Sequence, residues 1–386
     1  MSQIDGQEIA RLCSRLIQYD TSNPPGNEAE LAEYVAAYMR DAGLEVEVIP
    51  CGPKRASVIG RLKGSGEVGP VLFSGHLDTF PVTDQEWMHE PFGGEISDGK
   101  VWGRGASDMK GGDAAMLVVA RMLAERRTSL RGDLILAFSA DEEATQIGTH
   151  TIAERLRDEV MQIVLIPEPT ENEVLVAEKG ALWVEVATHG KAGHISRLDE
   201  ARNALLMMWP IIDEFTRLEI PFEVHPLLGG MVRSVNMIEA GQKMNIIPDR
   251  CAVTLEMRIV PGQDHADIIA RIEQMIRDVD ARSSLGDSGA TVKMIHQLLP
   301  VETDPQLPAL QRLLHVVAGV TGVRPQPKGI DYGTDACVLI PVLRAPFAIC
   351  GPGSYEATAA TDEWVKIDKM TETAQIYMAA ALEYLG

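Results

Sequence analysis

The stretch VLFSGHLD, Val71 to Asp78, decides the fold, and GRGASDMKGG, Gly103 to Gly112, answers it. Val71, Leu72 and Phe73 make a short apolar run that reads as a buried strand. The chain then presents His76 and Asp78 in quick succession. A neutral imidazole is the commonest ligand for zinc-like metals, and a carboxylate two residues on can orient it. Asp108 follows among Gly103, Gly105, Gly111 and Gly112, which permit backbone angles closed to other residues. Taken alone, a His at a strand end is more often a surface or hydrogen-bonded residue than a metal ligand.

Outward from this stretch, strand and helix patterns alternate. Apolar residues at helical spacing predict helices over 6–19, 28–42, 112–125 and 148–157, and apolar runs predict strands over 45–49, 57–62, 71–74, 133–139 and 162–166. The alternation predicts an α/β sheet covered by helices. Two of these strands run out into acids, 133–139 into Asp141, Glu142 and Glu143, and 162–166 into Glu168. Open α/β sheets bind their ligands outside such strand ends. Two adjacent acids are costly to bury as anions, and a metal beside one with a proton on the other accounts for the pair. Near Gly180 the pattern changes. Residues 181–189 alternate like an exposed sheet strand, with further strands around Val235, Val253 and Val292 and helices over 201–218 and 266–279, an inserted α+β unit. After Leu299 come a helix over 309–321, a loop over 329–335, a strand over 345–350 and a closing helix over 370–385.

A chain of 386 residues exceeds what one core usually supports, so two domains are expected. The 35 Lys and Arg against 56 Asp and Glu leave a net charge of −21, spread along the chain. Phosphate binding needs clustered cations, so nucleic acid and anionic membrane are excluded as partners. The five cysteines are scattered without CxxC spacing, which fits a reduced cytoplasm. There is no signal-like start and no apolar run near the roughly 18 residues of a membrane span.

On GHLDTFPV, GRGASDMKGG, ADEEA, PEPT, HGKAGHIS, MNIIPDRC and GPGS, the chain resembles metallopeptidase family M20, in the branch of acetylornithine deacetylases, succinyl-diaminopimelate desuccinylases and glutamate carboxypeptidases. The resemblance implies a catalytic domain of 1–179 and 296–386, with helices on both faces of a mixed sheet. An α+β lid of 180–295 would interrupt it and carry the homodimer contact. It implies that His76 binds one divalent metal, Asp108 bridges two, Glu143 binds the second and Glu168 the first. Zinc is expected, with manganese or cobalt as alternatives, one or two per protomer. By the same resemblance Asp78 orients His76, Glu142 is the general base, and a cis peptide bond follows Asp108. His194 is the lid histidine that donates to the oxyanion in the partner's site, and Arg258 and Asn245 contact substrate. Glu at position 168 favours an N-acyl amino acid or similar small carboxylate as substrate.

The chain departs from the pattern twice. The family places a His four residues before a Glu in the final loop; counting back from Glu363 lands on Ala359, and no His follows His315. The second metal thus keeps only Glu143 and Asp108, whereas zinc usually takes three protein ligands. Three readings follow: a variant in which that His was replaced, a one-metal amidohydrolase or deaminase acting on a non-peptide C–N bond, or a non-catalytic ligand-binding relative. At Cys337, desuccinylase-like members tend to carry an Arg for the substrate carboxylate; a free Cys reads better as a small buried residue. Asp331, Tyr332 and Asp335 either shape this pocket or cap turns.

Overall fold

The computed structural model describes residues 4–126 and 129–386. The chain divides into two compact units, one of residues 1–177, 302–329 and 334–386, the other of residues 178–301 and 330–333.

The first unit is built on a mixed sheet. Among the described residues, seven of its nine strands run in the order Glu45–Gly52, Arg55–Leu62, Leu134–Ser139, Val71–His76, Ile163–Pro169, Phe347–Gly351 and Leu175–Glu178. The four from Leu134–Ser139 to Phe347–Gly351 are mutually parallel and their residues are wholly buried. That burial explains their unbroken apolar runs, because parallel strands are covered on both faces. Arg55–Leu62 pairs antiparallel at one side and Leu175–Glu178 at the other. Helices cover both faces: Gly6–Ile17, Gly111–Glu125 and Ile367–Leu385 pack together, as do Ile147–Leu156 and Ala336–Leu343. Gly6–Ile17 shows why such segments become helices. Asp5 accepts from the Gln7 N–H at 2.9 Å, and Ile9, Leu12, Cys13, Leu16 and Ile17 form one buried stripe.

The parallel register sets the strand ends level, with His76 paired to Ser139. His76, the Glu142–Glu143 turn and Glu168 therefore emerge at the same edge of the sheet. Helix Ala336–Leu343 occupies a stretch that the sequence reading left unassigned, since its eight residues contain Pro341 and show no helical start. A small sheet of Glu95–Ser97, Lys100–Trp102 and Trp364–Lys366 was likewise too short to read.

The second unit is a four-stranded antiparallel sheet in the order Val232–Ala240, Arg250–Ile259, Gly180–His189 and Thr291–Leu298. Leu182, Val184 and Val186 point to one face, where Met208, Ile211 and Phe215 of helix Ala204–Arg217 and Ile268, Ile272 and Ile276 of helix His265–Arg282 close the core. The first helix starts at Ala204 rather than the expected 201, because the Asn203 side chain caps it by accepting from Leu205 and Leu206 N–H. Among the described residues no helix is long and apolar enough to cross a membrane.

Candidate metal centre

His76 closes the strand Val71–His76, and its ring is buried. Nδ1 lies 3.0 Å from the Asp78 main-chain oxygen. A carbonyl only accepts, so Nδ1 carries the proton and Nε2 is left with its lone pair. Nε2 faces Asp108 Oδ1 at 3.1 Å and Glu168 Oε1 at 3.7 Å. A lone pair directed at two carboxylate oxygens is stable only with a proton or a cation between them. Potential ligand atoms of His76, Asp108 and Glu168 lie within 4.8 Å of one another, and so do those of His76, Glu142 and Glu143. One imidazole and several carboxylates suit zinc, manganese or cobalt.

Asp78 differs in detail from what the resemblance implies. It touches the imidazole through its carbonyl, while its carboxylate stands 3.8 Å off. The carboxylate instead accepts from the Glu142 and Glu143 N–H groups, 3.0 Å each, and from Asn23 Nδ2 at 2.8 Å. Asp78 thus fixes the turn that presents the two glutamates. Asp108 is held in the same manner from the far end of the chain: Glu363 Oε1 accepts from Ser107 N–H at 2.9 Å and Asp108 N–H at 3.1 Å. The Asp108–Met109 peptide bond is cis. Gly112 lets the following helix approach the Glu168 strand, since a Cβ there would lie 2.6 Å from Pro167 Cβ.

Burial alone would push the His76 imidazole down, but Asp108, Glu168 and Glu142 hold it well above its usual value. Loss of water drives Glu142, Glu143 and Glu168 well above the carboxylate range, and their carboxylate neighbours add to the rise. So many acids in one dry place form a cation site or a set of shared protons. Glu143 Oε1 is buried without a hydrogen-bond partner, an acceptor awaiting a ligand.

Ala359 offers no donor to a second cation. It is exposed, adopts φ 58°, and engages the structure through its carbonyl, which accepts from Arg104 Nη2 at 3.3 Å. The same buried Arg104 pairs with Glu363 Oε2 at 2.7 Å. In the second unit, His194 and Asn245 are brought together, with His194 Nε2 3.2 Å from Asn245 Nδ2. Ser196 N–H approaches His194 Nδ1 at 3.2 Å, so neutral His194 carries its proton on Nε2. An Nε2–H against the Asn245 NH2 is a donor mismatch, and exchanging the amide's O and N gives His194 Nε2–H its acceptor. Arg258 is engaged by Glu256, with Nε and Nη2 at 3.0 and 2.8 Å from Oε1.

Sequence reading overlooked Asn23, Arg55 and Arg104, which act only through groups distant in the chain. Asp335 is buried and makes no helix cap; its carboxylate accepts from Ser139 Oγ at 2.6 Å and from the Thr149 hydroxyl. Cys337 is buried. Asp331 pairs with Lys179 at 2.8 Å.

The model of peptidase family M20/M25/M40 matches residues 72–383. The chain belongs to this family. As a family member it is a metal-dependent amidohydrolase. The M20 chain is 25% identical over 414 residues, the whole of both chains, to a probable succinyl-diaminopimelate desuccinylase of Staphylococcus epidermidis. It is 26% identical to the N-formyl-4-amino-5-aminomethyl-2-methylpyrimidine deformylase of Bacillus subtilis, covering 96% of this chain and 93% of that one. Its fold matches an M20 family metallo-carboxypeptidase of Sulfolobus solfataricus with TM-score 0.79, at 18% identity and 99% coverage of each.

Proposed function

We propose that the chain hydrolyses the amide-type C–N bond of an N-acyl amino acid or a similar small carboxylate, using one divalent cation per protomer held by His76, Asp108 and Glu168. The observation that carries this reading is the His76 Nε2 lone pair, fixed by the Asp78 carbonyl and aimed at two carboxylates. When bound, a divalent cation supplies Lewis acidity and makes water acidic enough to lose a proton near neutral pH. Glu142, on the turn fixed by Asp78, would act as the proton shuttle, taking a proton from the attacking water and delivering it to the leaving amine. His194 serves as the oxyanion donor through Nε2–H, working from a partner copy, and Asn245 and Arg258 bind substrate. The exposed edge strand Val232–Ala240 supports pairing of two copies through the second unit. The five free cysteines suit the cytoplasm.

Two observations favour a variation on this theme. Cys337 is a small buried residue where desuccinylase-like members tend to carry Arg, and the deformylase relative is named for an N-formyl pyrimidine. An N-acyl amine without a second carboxylate fits these better than a succinylated one. Ala359 limits the second cation position to Glu143 and Asp108.

The test is elemental analysis after dialysis of this chain and of Ala359→His, with hydrolysis assayed on N-acetyl, N-succinyl and N-formyl substrates. One metal per protomer is expected here and two in the variant. A parent chain that retains no metal and cleaves none of the panel refutes the proposal.

A further inference from the structure

Beside the metal centre lies a buried polar network with no role assigned above. Asp141 precedes Glu142 and sits in the left-handed region at φ 69°, a strained conformation for an L residue. Its carboxylate is gripped from several sides: by the Arg55 guanidinium, by Asn23 Nδ2 at 2.9 Å, and by the Thr145 N–H at 3.2 Å and the Thr145 hydroxyl. Asn23 also donates to Asp78, whose carboxylate holds the Glu142 and Glu143 N–H groups. Arg55 ties the set together. Besides Asp141 it donates to Asn23 Oδ1 at 2.6 Å and to the Pro25 carbonyl at 2.8 Å. The turn of residues 22–26 is shaped around the guanidinium: Gly26 has φ +82°, and a Cβ there would lie 1.9 Å from Arg55 Nη2.

We propose that Arg55 is a positioning residue for the metal centre: through Asp141, Asn23 and Asp78 it fixes where His76, Glu142 and Glu143 point. The proposal rests on the reading of His76, Asp108 and Glu168 as metal ligands. A planar guanidinium presents its donors to Asp141, Asn23 and Pro25 as one rigid fork, whereas an ammonium is a compact point charge on a flexible stem. Partners that orient metal ligands typically matter by about 10- to 100-fold in metal affinity or activity.

The experiment compares the full chain with Arg55→Lys, which keeps the positive charge facing Glu28 and Asp141, and with Asn23→Ser, which cuts the network on its other side. Zn2+ affinity is measured by chelator competition, and kcat and KM on whichever N-acetyl, N-succinyl or N-formyl substrate the parent cleaves. The expected result is Zn2+ binding about 10- to 100-fold weaker, with kcat reduced and KM changed less than about threefold. Zn2+ affinity and kcat within twofold of the parent in a folded Arg55→Lys chain overturn the proposal. If that chain does not fold, the same thresholds apply to Asn23→Ser. A parent that binds Zn2+ but cleaves nothing refutes the substrate reading alone, and the zinc comparison still decides the role of Arg55.

Discussion

Glu28→Gln should stabilise this protein, by an amount that depends on pH. Glu28 opens the helix Glu28–Asp41 with its side chain fully buried, and Arg55 Nε stands 3.8 Å away, beyond hydrogen-bond reach. Burial pushes its carboxyl up from 4.5 to about 7, against the pull of Arg55. Between these values the folded chain keeps a proton that the unfolded chain has released, so stability falls as pH rises from about 4.5 to 7. At 1.36 kcal/mol per pH unit the loss amounts to roughly 3 kcal/mol. Glutamine mimics the neutral acid and escapes it. The variant should match the parent below pH 4.5 and exceed it by about 3 kcal/mol at pH 8. Urea unfolding of metal-free parent and variant at pH 5, 6, 7 and 8 reads this directly, because shared groups cancel in the difference. A difference that stays flat with pH, or a variant weaker at pH 8, would show that the acid is ionised and well paired with Arg55.

Three further outcomes are expected. Glu142→Gln should retain its metal by elemental analysis yet lose about 10²- to 10⁴-fold in kcat, and a smaller loss would remove it from proton transfer. Glu363→Ala leaves buried Arg104 without its carboxylate and should destabilise the chain by about 3 to 5 kcal/mol in chemical unfolding; Zn2+ affinity should fall too, since the Asp108 loop loses its anchor. His194→Ala should lower kcat by about 10²- to 10³-fold with metal content unchanged, and mixing it with Glu142→Gln protein should restore activity if the two residues serve one site from different copies.

What could be read from the sequence was local. His76, Asp108, the Glu142–Glu143 pair and Glu168 each follow an apolar run or sit among glycines, so each stood out beside its own neighbours. Asn23 and Arg55 did not, because their meaning lies in partners 30 to 118 residues away. Glu363 could be used to locate the gap at Ala359, yet nothing nearby shows that it clasps Ser107 and Asp108. Asp78 was legible as a partner of His76 through its position two residues on, but its carboxylate turned toward main-chain donors that only the fold brings near. Helix Ala336–Leu343 escaped for a different reason: Pro341 breaks the pattern that marks longer helices.

The clasp of Glu363 on Asp108 joins groups 255 residues apart. At about 5 to 20 residues per second, a ribosome needs on the order of 13 to 50 s to travel between them. For that interval the nascent metal loop exists without its anchor, while the inserted unit, whose core draws on its own strands and helices, is complete enough to fold. The order of synthesis therefore postpones the cation pocket until the intervening module has emerged, and a metal taken up earlier would meet an unfinished cradle.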